Sequence, residues 1–145
     1  MQYNQKVKVL DVDFDEVKLA FHQFSFIEYL TKFQPVRILK WEGIESGKKA
    51  HFKFWFLNWR KLSVCHDKYV NSDSKLSFVD KGIVMPMGIN YWNHTHIVRD
   101  NKDSVIIEDY FEFGHKNKII EKLIYPVMVF PIFIRRLTYK LFFKK

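Results

Sequence analysis

The segment Tyr91–Val98 places two histidines, His94 and His96, two residues apart in a stretch rich in strand-forming residues. Because alternate residues of a strand point to the same face, both imidazoles share one face with Trp92 and Val98. Imidazole can exchange protons near neutral pH, hydrogen-bond a ligand or bind a metal. An unpaired imidazole is costly in a dry core, and bulky apolar side chains are uncommon on a wet strand surface. This mixture predicts a face that lines a semi-polar cavity.

Asp109 is the carboxylate expected beside these histidines. Within the run Ser104–Phe113, the alternating set that contains Asp109 is the more apolar one and should face the interior. Neighbouring strands lie about 4.8 Å apart, so either histidine can contact Asp109 if the strand register allows it. Asp80 is a second carboxylate that could accept a ring N–H from an adjacent strand. The candidate binding site predicted on this basis comprises His94, His96, Asp109, Trp92, Asp80 and Phe111.

Three interpretations of the two histidines remain open at this point. In the first, each ring is satisfied by Asp109 or Asp80 and the network is structural. In the second, the rings hydrogen-bond the polar end of a molecule held in an apolar cavity. In the third, two histidines and one or two carboxylates bind zinc or iron. The first two are preferred, so we expect no metal and no other cofactor.

The elements that must position these residues can be predicted from hydrophobic periodicity. A first strand at Lys6–Val12 precedes two short helices, one beginning after Asp13 and one capped by Ser25 and ended by Pro35. Six strand-like runs follow, with turns too short for crossover helices, which predicts an antiparallel sheet. These runs are Val36–Trp41, Ala50–Phe56, Trp59–Val70, Lys75–Val84, Ile89–Arg99 and Ser104–Phe113.

After Gly114 the apolar residues recur with the spacing of an α-helix. The residues spaced by threes and fours predict one buried stripe along a long helix, with a kink or break near Pro126 and Pro131. The apolar run of residues 123–134 is shorter than the roughly 20 residues that span a bilayer, so a transmembrane helix is not expected. The predicted stripe consists of Ile119, Leu123, Val127, Phe130, Ile134, Leu137 and Leu141.

The net charge of +8 is concentrated at the C-terminal end. Residues 116–145 carry eight Lys and Arg against Glu121 alone, whereas the first 115 residues are nearly neutral. The sequence has neither a zinc-finger spacing nor an RNA-binding aromatic signature, so we expect no nucleic-acid partner. An anionic membrane surface is the partner expected for residues 116–145. With a single cysteine, Cys65, and no apolar leader, we expect a cytoplasmic protein without disulfides.

The order strand, two helices, six strands and terminal helix resembles the helix-grip fold of the START-like superfamily, often called SRPBCC. The resemblance is to its bacterial branch of small ligand-binding domains, which have an Asp-containing strand, a Pro turn, a Trp-x-His-x-His strand and an aromatic-Arg segment. One departure is Phe113-Gly114-His115-Lys116, where a Tyr and a Pro-Phe-Gly turn would be expected. The matching segments are Phe78-Val79-Asp80, Met85-Pro86-Met87, Trp92–Val98, Ile107-Glu108-Asp109 and Phe133–Arg136.

The resemblance implies an α+β helix-grip fold, with a curved antiparallel sheet of about seven strands wrapped around the C-terminal helix, and one domain over residues 1–145. It also implies a cavity for a hydrophobic or amphipathic small molecule, lipid-like or polyketide-like. Fold alone does not choose between a carrier, a cyclase, dehydratase or hydrolase with His94 or His96 as acid or base, and a membrane-surface lipid-transfer protein. We expect binding or carriage rather than catalysis. Arg135 and Arg136 could hold a ligand carboxylate, although charges on a terminal helix are usually solvated.

Overall fold

The computed structural model describes residues 1–144 and contains one seven-stranded antiparallel sheet with the spatial order β1-β7-β6-β5-β4-β3-β2. This sheet with its helices is the predicted α+β helix-grip architecture. Lys145, the last residue of the predicted basic segment, lies outside the described residues. The strands are β1 (Gln2–Leu10), β2 (Val36–Trp41), β3 (Lys49–Trp55), β4 (Trp59–Asn71), β5 (Lys75–Val84), β6 (Ile89–Asp100) and β7 (Ser104–His115).

Two short helices, α1 (Phe14–Phe21) and α2 (Phe24–Thr31), connect β1 to β2. Asp13 caps α1 as its charge and position predicted, and its carboxylate accepts the backbone N–H of Asp15 at 2.9 Å. The predicted cap of α2 is wrong. Ser25 lies inside the helix, and the N-cap position is held by Gln23 without a side-chain hydrogen bond. The helix begins earlier because Phe24 continues the apolar pattern and packs against the Trp41 ring.

The C-terminal helical region consists of α3 (Lys118–Phe133) and α4 (Arg135–Phe142). Asn117 caps α3 by accepting two backbone N–H groups at 2.9 and 3.3 Å. The predicted interruption is present but lies at Ile134, whereas Pro126 and Pro131 both stay within α3. The Ile134 backbone itself is right-handed (φ −66°, ψ −19°), so α4 begins directly where α3 ends.

The predicted burial of the terminal stripe is wrong. Ile119, Leu123 and Leu137 are 72%, 70% and 56% exposed, and Phe130 and Leu141 are also exposed. The opposite side of the helices packs on the sheet instead. Because α3 is apolar nearly all round, periodicity alone could not choose its inner face. The buried helical residues are Glu121, Ile124, Met128, Val129, Ile132, Thr138 and Tyr139. Within residues 1–144, no helix is long and apolar enough to cross a membrane.

The apolar core has two parts. One lies under α1, α2 and α4 and includes Phe21, Phe78 and Tyr139, and the other lies under α3 and includes Phe111 and Ile132. The polar side chains of β5, β6 and β7 lie between these two parts. The fold therefore holds a strip of polar groups inside an otherwise apolar interior.

Candidate functional site

The register of three adjacent strands brings the predicted residues together. Across β5 and β6, Asp80 pairs with His94, and across β6 and β7, His96 pairs with Asp109. Since residues two apart share a face, both histidines and both carboxylates point to the helix side of the sheet. The predicted juxtaposition of His94 and His96 with Asp109 is confirmed.

Asp109 is fully buried and is the centre of the network. Its Oδ1 accepts a hydrogen bond from His94 Nε2 at 2.9 Å. His96 Nδ1 lies 3.1 Å from the same oxygen, as an ion pair outside hydrogen-bond geometry. The Tyr139 hydroxyl lies 3.3 Å from both oxygens, and Gln5 Nε2 donates to Oδ2 at 2.8 Å. One carboxylate thus connects β1, β6, β7 and α4.

Asp80 extends the network toward β4. His96 Nε2 donates to Asp80 Oδ2 at 3.0 Å, and His66 Nδ1 donates to the other oxygen at 2.7 Å. The His96 ring is also stacked on Phe78, with centroids 4.5 Å apart. His96 is therefore clamped between two carboxylates and an aromatic ring.

The environment separates the two histidines electrostatically. Burial would by itself lower the pKa of His96, but the negative charges of Asp80 and Asp109, together with the hydrogen bond to Asp80, outweigh it and raise the pKa. Burial, together with the charge on His96, lowers the pKa of His94 to about 4. At neutral pH the His94 ring is therefore neutral, with Nε2–H directed at Asp109.

Both carboxylates stay ionised in spite of their burial. Desolvation opposes ionisation, but the neighbouring histidines hold the pKa of Asp80 and of Asp109 well below the usual range. Arg135 adds a second cation, with Nη1 3.9 Å from Asp109 Oδ1. The His96 imidazolium and the Arg135 guanidinium thus oppose the charges of the two carboxylates.

An internal cavity of about 110 Å³ lies between strands β2–β6 and helix α3. Asp80 and Arg135 border it, and their side chains keep 17% and 19% of their surface accessible, compared with none for Asp109. The remaining walls are mostly apolar. They include Val36, Phe52, Phe54, Leu62, Val64, Trp92, Val127, Met128 and Ile132, together with His94, Thr31, Gln34 and Pro131.

The predicted site residues fall into two sets. Asp80, Trp92 and His94 line the cavity. The other three, His96, Asp109 and Phe111, do not line the cavity but contact His94 and fix its position. Asp109 accepts a hydrogen bond from His94. The centroids of the His96 and Phe111 rings lie 3.9 and 5.8 Å from the centroid of the His94 ring.

A second, outer groove of about 340 Å³ lies at the surface beside the cavity. Gln34, Val36, Phe54, Val127 and Pro131 line both spaces. The outer groove is bordered in addition by Trp55, Phe130, Pro35 and Pro126, of which Trp55 and Phe130 are about half exposed. Five residues therefore separate an apolar surface groove from the cavity that Asp80 and His94 line.

Sequence reasoning missed three members of the network: His66, Gln5 and Tyr139. His66 lies outside the predicted motifs, although the pairing of β4 with β5 places it opposite Asp80. Nothing in the sequence around Gln5 predicts that it is buried in the network, because a glutamine in a terminal strand is usually solvated. Arg135 was considered as a ligand contact but expected to be solvated, whereas most of its side chain is buried.

Metal binding requires a rearrangement of this cluster. Asp80, His94 and His96 each offer one ligand atom, and these atoms lie within 4.8 Å of one another. However, His96 Nε2 already donates to Asp80, so a metal would have to displace that proton. Two imidazoles and a carboxylate are suitable ligands for a transition metal, but in this structure the His96 nitrogen that would bind the metal carries a proton instead.

Comparison with known proteins supports the fold. The structure matches the protein Ms6760 from Mycobacterium smegmatis (TM-score 0.74, 5% identity, 99% of this chain and 90% of the other). It also matches norcoclaurine synthase from Thalictrum flavum (TM-score 0.66, 18% identity, 100% and 87%). A third match is an uncharacterised protein from Bacillus thuringiensis (TM-score 0.61, 10% identity, 96% and 97%). No protein-family profile and no curated protein sequence matches.

These structures have the helix-grip architecture, and the chain adopts the same fold along its whole described length. The resemblance to the START-like superfamily that the motifs indicated is thus confirmed at the level of the fold. Sequence identities of 5–18% carry no further inference about activity.

Proposed function

We propose that this protein binds a small, mostly apolar molecule that carries one uncharged polar group. The observation that supports this most directly is the apolar cavity whose inner end is formed by Asp80, His94 and Arg135. Its apolar walls would remove the body of the molecule from water, and each Å² of apolar surface buried contributes about 25 cal/mol. The cavity suits a small molecule.

The charges at the inner end argue for an uncharged polar group. Asp80 can accept a hydrogen bond and Arg135 can donate one, so a hydroxyl or an amide satisfies both. Because Asp80 and Asp109 already have His96 and Arg135 as cationic partners, a ligand carboxylate or ammonium would add an uncompensated buried charge, which is costly. The ligand class is therefore that of apolar alcohols, phenols and amides.

The structural neighbours are compatible with this proposal. The norcoclaurine synthase from Thalictrum flavum, which shares the fold at 18% identity, has been obtained in complex with dopamine and hydroxybenzaldehyde. These are ligands of that protein. They support the proposal for this chain only in that the fold can hold aromatic molecules with polar groups.

Catalysis is the second candidate, and the His94–Asp109 hydrogen bond of 2.9 Å favours it. A histidine oriented by a buried carboxylate is a common arrangement for general base catalysis. However, the pKa of His94 is lowered to about 4, which makes the ring a weak base at neutral pH. Binding is therefore the better supported function.

Two measurements test this proposal: one looks for a ligand that the protein retains through purification, and the other measures binding of added ligands. Native mass spectrometry of freshly purified protein should show a discrete added mass that denaturation removes. Titration with 1-octanol, octanoate and octylamine, followed by the fluorescence of the four tryptophans, of which Trp92 lines the cavity, should show that octanol binds best.

Val64→Phe should fill the cavity and weaken octanol binding at least tenfold, whereas Val84→Phe, at a position 47% exposed, should leave it unchanged. A bare native mass together with no fluorescence response to octanol at millimolar concentration would contradict the proposal. An octanol response that Val64→Phe leaves unaffected would place the ligand elsewhere.

A further inference from the structure

The exposed apolar stripe of α3 and α4 is the most unusual surface of the molecule. Its residues were spaced as a buried helix face, yet Ile119, Leu123 and Leu137 are more than half exposed. Because the Ile134 backbone is right-handed, α4 follows α3 directly, and exposed apolar residues lie on both helices. Contiguous exposed apolar residues of this kind mark an interaction surface.

The charges beside the stripe have one sign. The exposed ionisable side chains in residues 116–144 are all cationic: Lys116, Lys118, Lys122, Arg136, Lys140 and Lys144. The single acid of this segment, Glu121, is buried and paired with Lys118 at 2.9 Å and with the N-terminal amine at 3.5 Å. Apart from Lys118, which Glu121 pairs, the surface therefore combines apolar side chains with positive charges that have no acid of the segment beside them.

We propose that the α3–α4 face docks on an anionic lipid membrane. Apolar side chains of one helix face insert at the boundary between headgroups and acyl chains, while the flanking lysines contact lipid phosphates. A second copy of this chain would place two cationic faces against each other, which costs free energy. The charge pattern thus favours lipid over self-association.

The same face borders the outer groove. Phe130 belongs to the stripe and also lines the groove, together with Trp55 on the β3–β4 side. Docking through this face would bring the outer groove to the membrane surface. The docking proposal itself depends only on the exposed residues and charges, and holds whatever the cavity binds.

The experiment is co-sedimentation of the full chain with vesicles of phosphatidylglycerol and phosphatidylcholine in equal amounts, and with vesicles of phosphatidylcholine alone. Binding is expected to the anionic vesicles, to weaken as NaCl is raised from 50 to 500 mM, and to be roughly tenfold or more weaker for phosphatidylcholine.

Two pairs of variants separate the apolar and the charged contributions. Leu123→Ser with Leu137→Ser, and separately Lys122→Gln with Lys140→Gln, are each expected to weaken vesicle binding roughly tenfold or more. Their matched controls are Leu10→Ser with Leu39→Ser, also exposed leucines at 59% and 53%, and Lys61→Gln with Lys102→Gln. The controls should bind vesicles as the unchanged protein does.

The proposal is overturned by equal binding to neutral and anionic vesicles, by no binding, or by equal losses in the variants and their controls. It is also overturned if sedimentation velocity shows a dimer that the Leu123→Ser, Leu137→Ser variant dissociates, since the face would then join two copies. Octanol binding by the same variants should be unchanged, so failure of the docking proposal and failure of the cavity proposal give different results.

Discussion

Gln5 and Asp109 face each other directly across β1 and β7, and the Gln5 amide donates to Asp109 Oδ2 at 2.8 Å. The same Gln5 nitrogen donates to the carbonyl oxygen of Ile132, in the last turn of α3, at 2.7 Å. One side chain therefore joins the buried carboxylate to the helix that covers the cavity. This link explains how a network built on the sheet can control the position of α3.

The first prediction concerns this link. Gln5→Leu should lower the free energy of unfolding by about 1–3 kcal/mol, because the Ile132 carbonyl and Asp109 would each lose a donor in a buried place. Urea unfolding followed by Trp fluorescence measures the change. Asn4→Leu, at an exposed position of the same strand, is the control and should change stability by less than about 0.5 kcal/mol.

The second prediction concerns Asp109 itself. Asp109→Asn keeps the shape of the side chain but removes the charge that stabilises the His96 imidazolium. Breaking a buried ion pair in this way costs about 3–5 kcal/mol. The thermal midpoint should fall by about 10 °C or more. Asp103→Asn, in the exposed β6–β7 turn, should leave the midpoint in place, and an equal fall in both variants would refute the network.

The third prediction concerns acid sensitivity. The pKa of His94 is about 4 in the folded protein and about 6.5 in an unfolded chain, so between these values the unfolded chain binds a proton that the folded protein does not. The free energy of unfolding should therefore decrease as the pH is lowered from 6.5 to 4, by up to about 1.4 kcal/mol per pH unit from this residue. Urea unfolding at a series of pH values measures the slope.

His94→Gln is the variant that isolates this contribution, and its stability should depend less on pH between 6.5 and 4. The other buried groups act outside that range or with the opposite sign. Asp80 and Asp109, whose pKa values are lowered, contribute stability that is lost only at more acidic pH, as they protonate in the folded state. The raised pKa of His96 contributes stability that is complete below pH 6.5 and lost as the pH rises through its folded value. Identical slopes for the variant and the unchanged protein would show that His94 does not titrate in this way.

The fourth prediction concerns Gly82, which lies under the Trp92 side chain. A Cβ at this position would lie 2.7 Å from Met85 Sδ and 2.7 Å from Trp92 Cβ, closer than atoms can approach. Met85 can move, but Trp92 Cβ is fixed by the β6 backbone. Gly82→Ala should therefore shift Trp92, change the near-ultraviolet circular dichroism and weaken octanol binding. Gly47→Ala is the control, because its Cβ would meet no atom within 4 Å. It carries backbone strain at φ +88° but should leave the Trp92 signal intact.

The fifth prediction concerns metals. Because His96 Nε2 already donates its proton to Asp80, zinc at tens of micromolar should leave the thermal midpoint at pH 7 unchanged, and chelation with EDTA should also leave it unchanged. Differential scanning calorimetry measures both. A zinc-dependent rise in the midpoint that disappears in His94→Ala would instead identify Asp80, His94 and His96 as a metal site.

Much of the fold could be predicted because strand alternation is a local signal. The bounds of β2 and β5 agree with the predicted ones. The inward orientation of the Asp109 side chain was predicted from the apolar residues that share its face of β7. The inner face of the terminal helices could not be predicted in the same way. Ile119 and Ile124 are equally apolar, and only the position of the sheet decides that Ile124 is the buried one.

The site was predictable only in part for a similar reason. His94, His96 and Asp80 carry a recognisable spacing, whereas the role of His66 depends on the β4–β5 register, with its bulges at Ser63/Val64 and Asp67/Val70. The burial of Arg135 depends on the junction of α3 and α4. Such positions are set by tertiary packing, which leaves no periodic trace in the sequence.

The position of His96 between Asp80 and Asp109 makes protonation part of folding. In an unfolded chain at mildly alkaline pH this ring is mostly neutral, whereas its raised pKa favours the imidazolium once the strands pair. The chain thus takes up protons from solution as it folds, and the measured enthalpy of folding must vary with the ionisation enthalpy of the buffer. A proton is in this sense a structural ligand of the protein, held by His96 between carboxylates of the two strands that flank β6.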